Sequence, residues 1–249
     1  MSKKTLIIMA IITIFLNITN LFSEKEDENV KRIIKNTIKF LGGEKFKNYK
    51  TYYAHGKLYI IKGGMSARTD VWEYIHFPSL FRQALEDKEN GDIEIVDISK
   101  LKGIRIKYGK KSSMSLSDIS EFKMGLRRDI HYLFKYIIPE GKVSIYYLSP
   151  EEIEGPLFNE GLKLIFDDND EIKIIYKEES YIPYKIIYKK KEGLTTVRWY
   201  KILARWFSID GIETPKRIEY YREGNFTYLL EYEEIKYNKN LSKKLFQIR

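Results

Sequence analysis

Cysteine is absent from all 249 residues. That absence argues against a disulfide framework, a thiolate zinc site, a cysteine nucleophile and a lipidated cysteine anchor. Histidine occurs three times, as His55, His76 and His131, with no pair at metal-ligand spacing. His55 and His76 fall on neighbouring strand-like segments, where they can face each other. Proline is scarce at six residues, and no glycine-rich phosphate loop is present. Ser112, Ser113 and Ser115 lack the strand–turn–helix setting of a nucleophile elbow. The acidic run Asp167-Asp168-Asn169-Asp170-Glu171 lacks the glycine and the distal glutamate of a calcium loop and reads as a solvated hairpin tip. Glu73, Glu86 and Glu94 read as acids on the wet faces of strands. Without a catalytic constellation, a metal set or a cofactor motif, the sequence reads as that of a non-enzyme with no cofactor.

What is present is a globular composition, 43% hydrophobic and 32% charged, with a formal charge of +9. The lysines are spread along strand-like segments and alternate with acids, as in Glu171-Ile172-Lys173, and Lys189-Lys190-Lys191 reads as a solvated turn. No basic stripe forms, so no nucleic-acid partner is expected. A diffuse positive surface suits anionic lipid headgroups. At the amino terminus, Met1-Ser2-Lys3-Lys4 precedes the apolar run TLIIMAIITIFL, residues 5–16. That run is short against the roughly 20 residues of a spanning helix. It has the charged start and apolar centre of a secretory signal. Residues 1–23 are therefore read as a signal peptide and 24–249 as one exported domain, periplasmic or otherwise outside the cytoplasm. An uncleaved anchor is the alternative.

Two segments carry helical periodicity. Val30, Ile33, Ile34, Ile38 and Leu41 form an apolar stripe over 28–41, stopped by Gly42-Gly43. Ile119, Phe122, Leu126, Ile130, Leu133 and Ile137 form a second over 116–138, with Ser115 and Asp118 as a capping box and Pro139 and Gly141 at its end. The rest is strand-like, with Asn90-Gly91 and Asp168-Asn169-Asp170 as hairpin turns. Tyr, Phe and Trp make up 14% of the chain, mostly on those strands. The pattern predicts an α+β, mainly β fold: a strongly curved antiparallel sheet of about 11–12 strands, forming an unclosed β-barrel with helices 28–41 and 116–138 on its concave face. Placed there, the helices cover an apolar hollow that would otherwise face water.

The order of short motifs resembles the LolA-like family of periplasmic lipoprotein carriers and its wider LolA/LolB/RseB-type superfamily. Helix 28–41 resembles the family's amino-terminal helix, and Phe77-Pro78-Ser79-Leu80-Phe81-Arg82 its proline-centred strand junction. Residues 93–108 resemble the hairpin that leads to its central helix. Phe207-Ser208-Ile209-Asp210-Gly211-Ile212-Glu213-Thr214-Pro215 resembles a strand turn common in the family, and Asn238-Lys239-Asn240-Leu241 with Leu245-Phe246 its closing tail. Where the carrier has an arginine before the junction proline, this sequence has Phe77. The resemblance implies binding of acyl chains beneath helices that move aside, with a lipid or an acylated lipoprotein as partner.

Combining pattern and resemblance, the expected function is that of an exported, monomeric binder or carrier of lipidic cargo. Ile119, Phe122, Leu126, Ile130 and Leu133 are the expected lid. Trp72, Tyr74, Phe81 and Ile93 from the first half of the sheet, with Leu164, Phe166, Ile174 and Trp199 from the second, are its expected hydrophobic wall. These wall positions depend on strand register, because a one-residue slip turns every side chain over. The rival reading is a non-enzymatic interaction or sensory module of the cell envelope, with a permanently filled core and an envelope membrane protein as partner.

Overall fold

The computed structural model describes residues 27–153, 160–177 and 180–248; the signal-peptide reading of residues 1–23 lies outside them. Helix α1 covers residues 27–41, and a short α2 follows at Glu44–Asn48. A meander then runs through β1 (Thr51–Lys62), β2 (Met65–His76), β3 (Leu80–Leu85), β4 (Asp92–Asp97), β5 (Lys102–Lys107) and β6 (Lys110–Ser113). After a helical connection come β7 (Val143–Leu148), β8 (Gly161–Phe166), β9 (Glu171–Tyr176), β10 (Pro183–Glu192), β11 (Thr195–Ile209), β12 (Ile212–Arg222) and β13 (Asn225–Tyr237). All pair antiparallel in one sheet, ordered β6-β5-β4-β3-β2-β1-β13-β12-β11-β10-β9-β8-β7. β6 and β7 remain unpaired with each other, so the curved sheet is not closed.

The sheet has one strand more than the sequence predicts. β6 is Lys-Lys-Ser-Ser with every residue exposed, so it carries no hydrophobic alternation to read. Two further expectations are corrected. The hairpin between β3 and β4 does not turn on Asn90-Gly91. It uses the longer loop 86–91, in which Asp87 accepts from the backbone of Glu89 at 2.8 Å and of Asn90 at 2.7 Å, and Glu86 takes the left-handed conformation. The helix expected over 116–138 is broken. Helix α3 (Leu116–Arg127) has the Ser115–Asp118 capping box but ends at Arg127. Asp129 then caps a new start, accepting from the Tyr132 N–H at 2.7 Å. Ile130–Tyr132, a π-helical turn at Leu133–Ile137 and Ile138–Glu140 together form a second arm, α4 (130–140). The three-and-four spacing continues through the break, because both segments keep the helical period.

The helix-covered face holds the main core. Ile33 and Leu41 of α1 and Leu133 of α4 are fully buried against Leu162, Leu164, Ile172, Ile174 and Ile186. Each such side chain contributes roughly 1.5–3 kcal/mol by leaving water. A smaller cluster lies on the opposite face, where Leu241 and Phe246 of the closing tail cover Tyr53, Tyr74, Ala84, Ile93, Ile95 and Ile104. Asn238 turns the chain there: left-handed itself, it accepts the Lys50 N–H on its side chain at 2.9 Å. The Asp210-Gly211 turn joining β11 to β12 is left-handed at both residues. Its Gly211 carbonyl approaches Gly42 so closely that a Cβ on Gly42 would lie 2.3 Å away, which locks the end of α1 to that turn.

Candidate functional site

Because β6 and β7 are the two free edges, the chain between them must cross the open side of the sheet, and α3 and α4 are that crossing. Two cavities of about 340 and 270 Å³ share Glu73, Gln83, Tyr220 and Leu230 in their walls; α3 borders the smaller, and Arg128, just past its end, borders the larger. Each is near the lower end of the range for small-molecule sites. Phe122 and Leu126 form part of the roof, and the Phe122 ring meets Phe81 edge-on at 5.4 Å.

Of the thirteen residues chosen from the sequence, Phe81, Phe122 and Leu126 line the smaller cavity and Trp199 the larger. Ile130, Leu133, Leu164, Phe166 and Ile174 are buried in the packed core on the same face, and Ile119 is buried beneath α3. Trp72, Tyr74 and Ile93 lie on the other face of the sheet. Trp72 stacks on His55 at 4.8 Å, while Tyr74 and Ile93 sit under the closing tail. In Val71-Trp72-Glu73-Tyr74-Ile75 both faces are rich in large side chains, and the tail gives the aromatic set a cover of its own. His55 and His76 do not meet, since His55 pairs with Trp72 and His76 with Thr51.

The same parity brings Glu73 inside, where its expected place was the wet face. It belongs to a polar belt crossing six adjacent strands on the helix-covered side: Lys201, Tyr220, Tyr232, Tyr52, Glu73 and Gln83, from β11 through β12, β13, β1 and β2 to β3. Glu73 accepts from the Tyr232 hydroxyl at 2.7 Å and from Gln83 Nε2 at 3.2 Å. Burial pushes its carboxyl above the usual range and raises the Tyr52, Tyr220 and Tyr232 hydroxyls well above theirs. It pushes Lys201 down to about 8. None of these six residues is picked out by hydrophobic-pattern reasoning: Lys201, Glu73 and Gln83 default to the solvent side as polar strand residues, and the three tyrosines read as ordinary strand aromatics.

Two features fix the arm over this belt. Phe77 packs edge-on to Tyr49 at 5.1 Å and stacks on Tyr136 at 5.4 Å, an aromatic latch immediately before Pro78. His131 is buried, donating from Nε2 to the Glu213 carbonyl at 2.8 Å and accepting at Nδ1 from the Tyr237 hydroxyl at 3.2 Å. Burial lowers its pKa from 6.5, with Lys135 adding to the effect and Asp129 and the Glu213 carbonyl opposing it. The unfolded imidazole therefore binds a proton more readily than the folded one. The stability His131 supplies is complete above pH 6.5 and is lost as pH falls below it. We expect urea midpoints measured from pH 7.5 to 5 to fall more steeply for the wild type than for His131→Gln.

Among the described residues no helix is long and apolar enough to cross a membrane. No family profile matches the sequence, and no curated protein matches it at a significant level. Solved structures do. A DUF1329 family protein from Desulfovibrio piger superposes with a TM-score of 0.60 at 11% identity, over 88% of this chain and 97% of that one. A LolA superfamily protein from Nitrosomonas europaea gives 0.58 at 11% identity, over 88% and 97%. A proposed outer membrane lipoprotein-sorting protein domain from Vibrio parahaemolyticus gives 0.56 at 9% identity, over 88% and 96%. Identities this low speak for architecture alone, and the architecture is settled: the chain has a LolA-like fold, an unclosed antiparallel barrel crossed by helices.

Proposed function

We propose that residues 24–249 form an exported, monomeric, non-enzymatic carrier that holds the acyl chain of a lipid or an acylated lipoprotein between α3 and the sheet. The observation that carries this reading is the pair of adjoining cavities, the smaller roofed by Phe122 and Leu126 of α3 and walled by Phe81, the larger walled by Trp199. The solved relative named for lipoprotein sorting supports the choice of cargo class. Of the residues chosen from the sequence, these four are the proposed ligand contacts, and Ile119, Ile130 and Leu133 seat the arm that brings α3 over them.

Phe122→Asp combined with Leu126→Asp puts two carboxylates into the roof. We expect uptake of a fluorescent fatty acid and of a palmitoylated peptide to fall at least about tenfold, since an unpaired buried charge opposes apolar contact. The circular dichroism spectrum should be unchanged. Undiminished uptake by the folded double variant would overturn the carrier reading in favour of an envelope interaction module.

A further inference from the structure

Lys201 is 6% exposed and lines the cavity beneath Phe122 and Leu126. It projects from the inner face of β11 between Ile186 of β10 and Tyr220 of β12. Among the described residues, its Nζ has no hydrogen-bond or ion-pair partner. The charged groups that act on it are Asp129, Arg128 and Glu73, and each is engaged elsewhere. Glu73 receives Tyr232 and Gln83. Asp129 caps the Tyr132 N–H. Arg128 lies over the Tyr188 ring at 4.2 Å and donates to the Lys189 carbonyl at 3.3 Å. An ammonium taken out of water needs acceptors for its three protons, and here the open side of the cavity has to provide them.

We propose that Lys201 is the seat for the anionic head of a single-chain amphiphile, a carboxylate in the simplest case, whose chain runs under Phe122 and Leu126 toward Trp199. This deepens the carrier reading and rests on it. A wholly apolar pocket would hold any acyl chain equally well. A buried cation at the cavity floor selects a cargo that brings its own negative charge, because hydrogen bonds to ionised groups are the stronger ones. It also fixes orientation, with the head at the floor on β11 and the chain along the roof.

The test titrates oleate and oleyl alcohol, which share one chain and differ in head charge, into wild type and Lys201→Met at pH 7. The wild type should bind oleate at least about tenfold more tightly than the alcohol, and the variant should bind the two alike. Lys201→Gln, with a polar chain of similar length, should lose the preference equally and stands in if the methionine variant misfolds. Equal affinity for both ligands in the wild type, or a preference that survives in the variants, would overturn the assignment of Lys201 while leaving lipid binding intact. Failure of both ligands to bind the wild type would overturn the carrier reading and this one together.

Discussion

Lys201→Met should stabilise the ligand-free protein at pH 7 by about 2–4 kcal/mol, read from urea unfolding. The physical basis is the cost of holding an unpartnered ammonium in a buried position. Burial brings its pKa from 10.5 down to about 8, with Asp129 and Glu73 opposing the shift and Arg128 adding to it. Below about pH 8 both folded and unfolded chains carry the proton and the folded state bears the whole cost. Between 8 and 10.5 the unfolded chain binds more protons than the folded one, so wild-type stability climbs with pH across that window. Lys135 is lowered to about 8 by burial as well and contributes the same slope to both proteins, so the difference between wild type and variant isolates Lys201. The difference should be flat below pH 7.5 and shrink toward pH 10. Removing a binding group should thus make the empty protein stronger, as expected where a site is kept poised for a ligand and not for stability. A variant equal to or weaker than wild type at pH 7 would mean that the ammonium has found acceptors inside the fold.

The architecture was legible because the apolar periods were clean. Ile33, Leu41 and Leu133 repeat at helical spacing, and Leu162, Leu164, Ile172 and Ile174 at strand spacing, and all lie on the face those periods imply. The site was less legible, and the reason is parity. In β2 the choice between Trp72/Tyr74 and Val71/Glu73/Ile75 as the inner set could not be made from hydrophobicity, since the larger rings went outside beneath Leu241 and Phe246. A tail that covers the outer face removes the usual penalty for apolar residues there. The hairpin tip at 167–170 shows the same limit. It read as solvated, yet Asp168 pairs with Arg127 at 2.7 Å and Asp170 lies 3.8 Å from Arg128, partners more than forty residues earlier that no local pattern announces. Helix breaks are equally quiet: Asp129 acts as a second cap inside an unbroken apolar stripe.

That break divides the crossing segment into a lightly buried part and a deeply seated part, and the two should respond very differently to truncation. In α4, Ile130, Leu133 and Phe134 are at most 3% exposed, and polar anchors add to them. His131 reaches β12, Tyr132 donates its hydroxyl to the Pro78 carbonyl at 3.1 Å, and Lys135 donates to the Phe46 carbonyl at 2.9 Å. In α3, Ile119 is the one buried apolar side chain. The other attachments are the edge-on contact of half-buried Phe122 with Phe81 and surface contacts such as the ion pairs Lys190–Glu121 at 2.6 Å and Arg127–Asp168 at 2.7 Å, each pair worth under about 1 kcal/mol where solvent reaches it. Leu133→Ala should therefore cost about 3 kcal/mol of global stability through lost burial and a residual cavity. Leu126→Ala, at a side chain that borders open space already, should cost under about 1 kcal/mol. Native-state hydrogen exchange gives the same contrast without mutation. Amides of 130–137 should exchange only through global unfolding, while those of 119–127 should exchange through a local opening several kcal/mol cheaper, and bound oleate should slow the second set. Equal protection of the two segments would mean that α3 does not open on its own, and the cavities beneath it would then have no way to exchange a cargo.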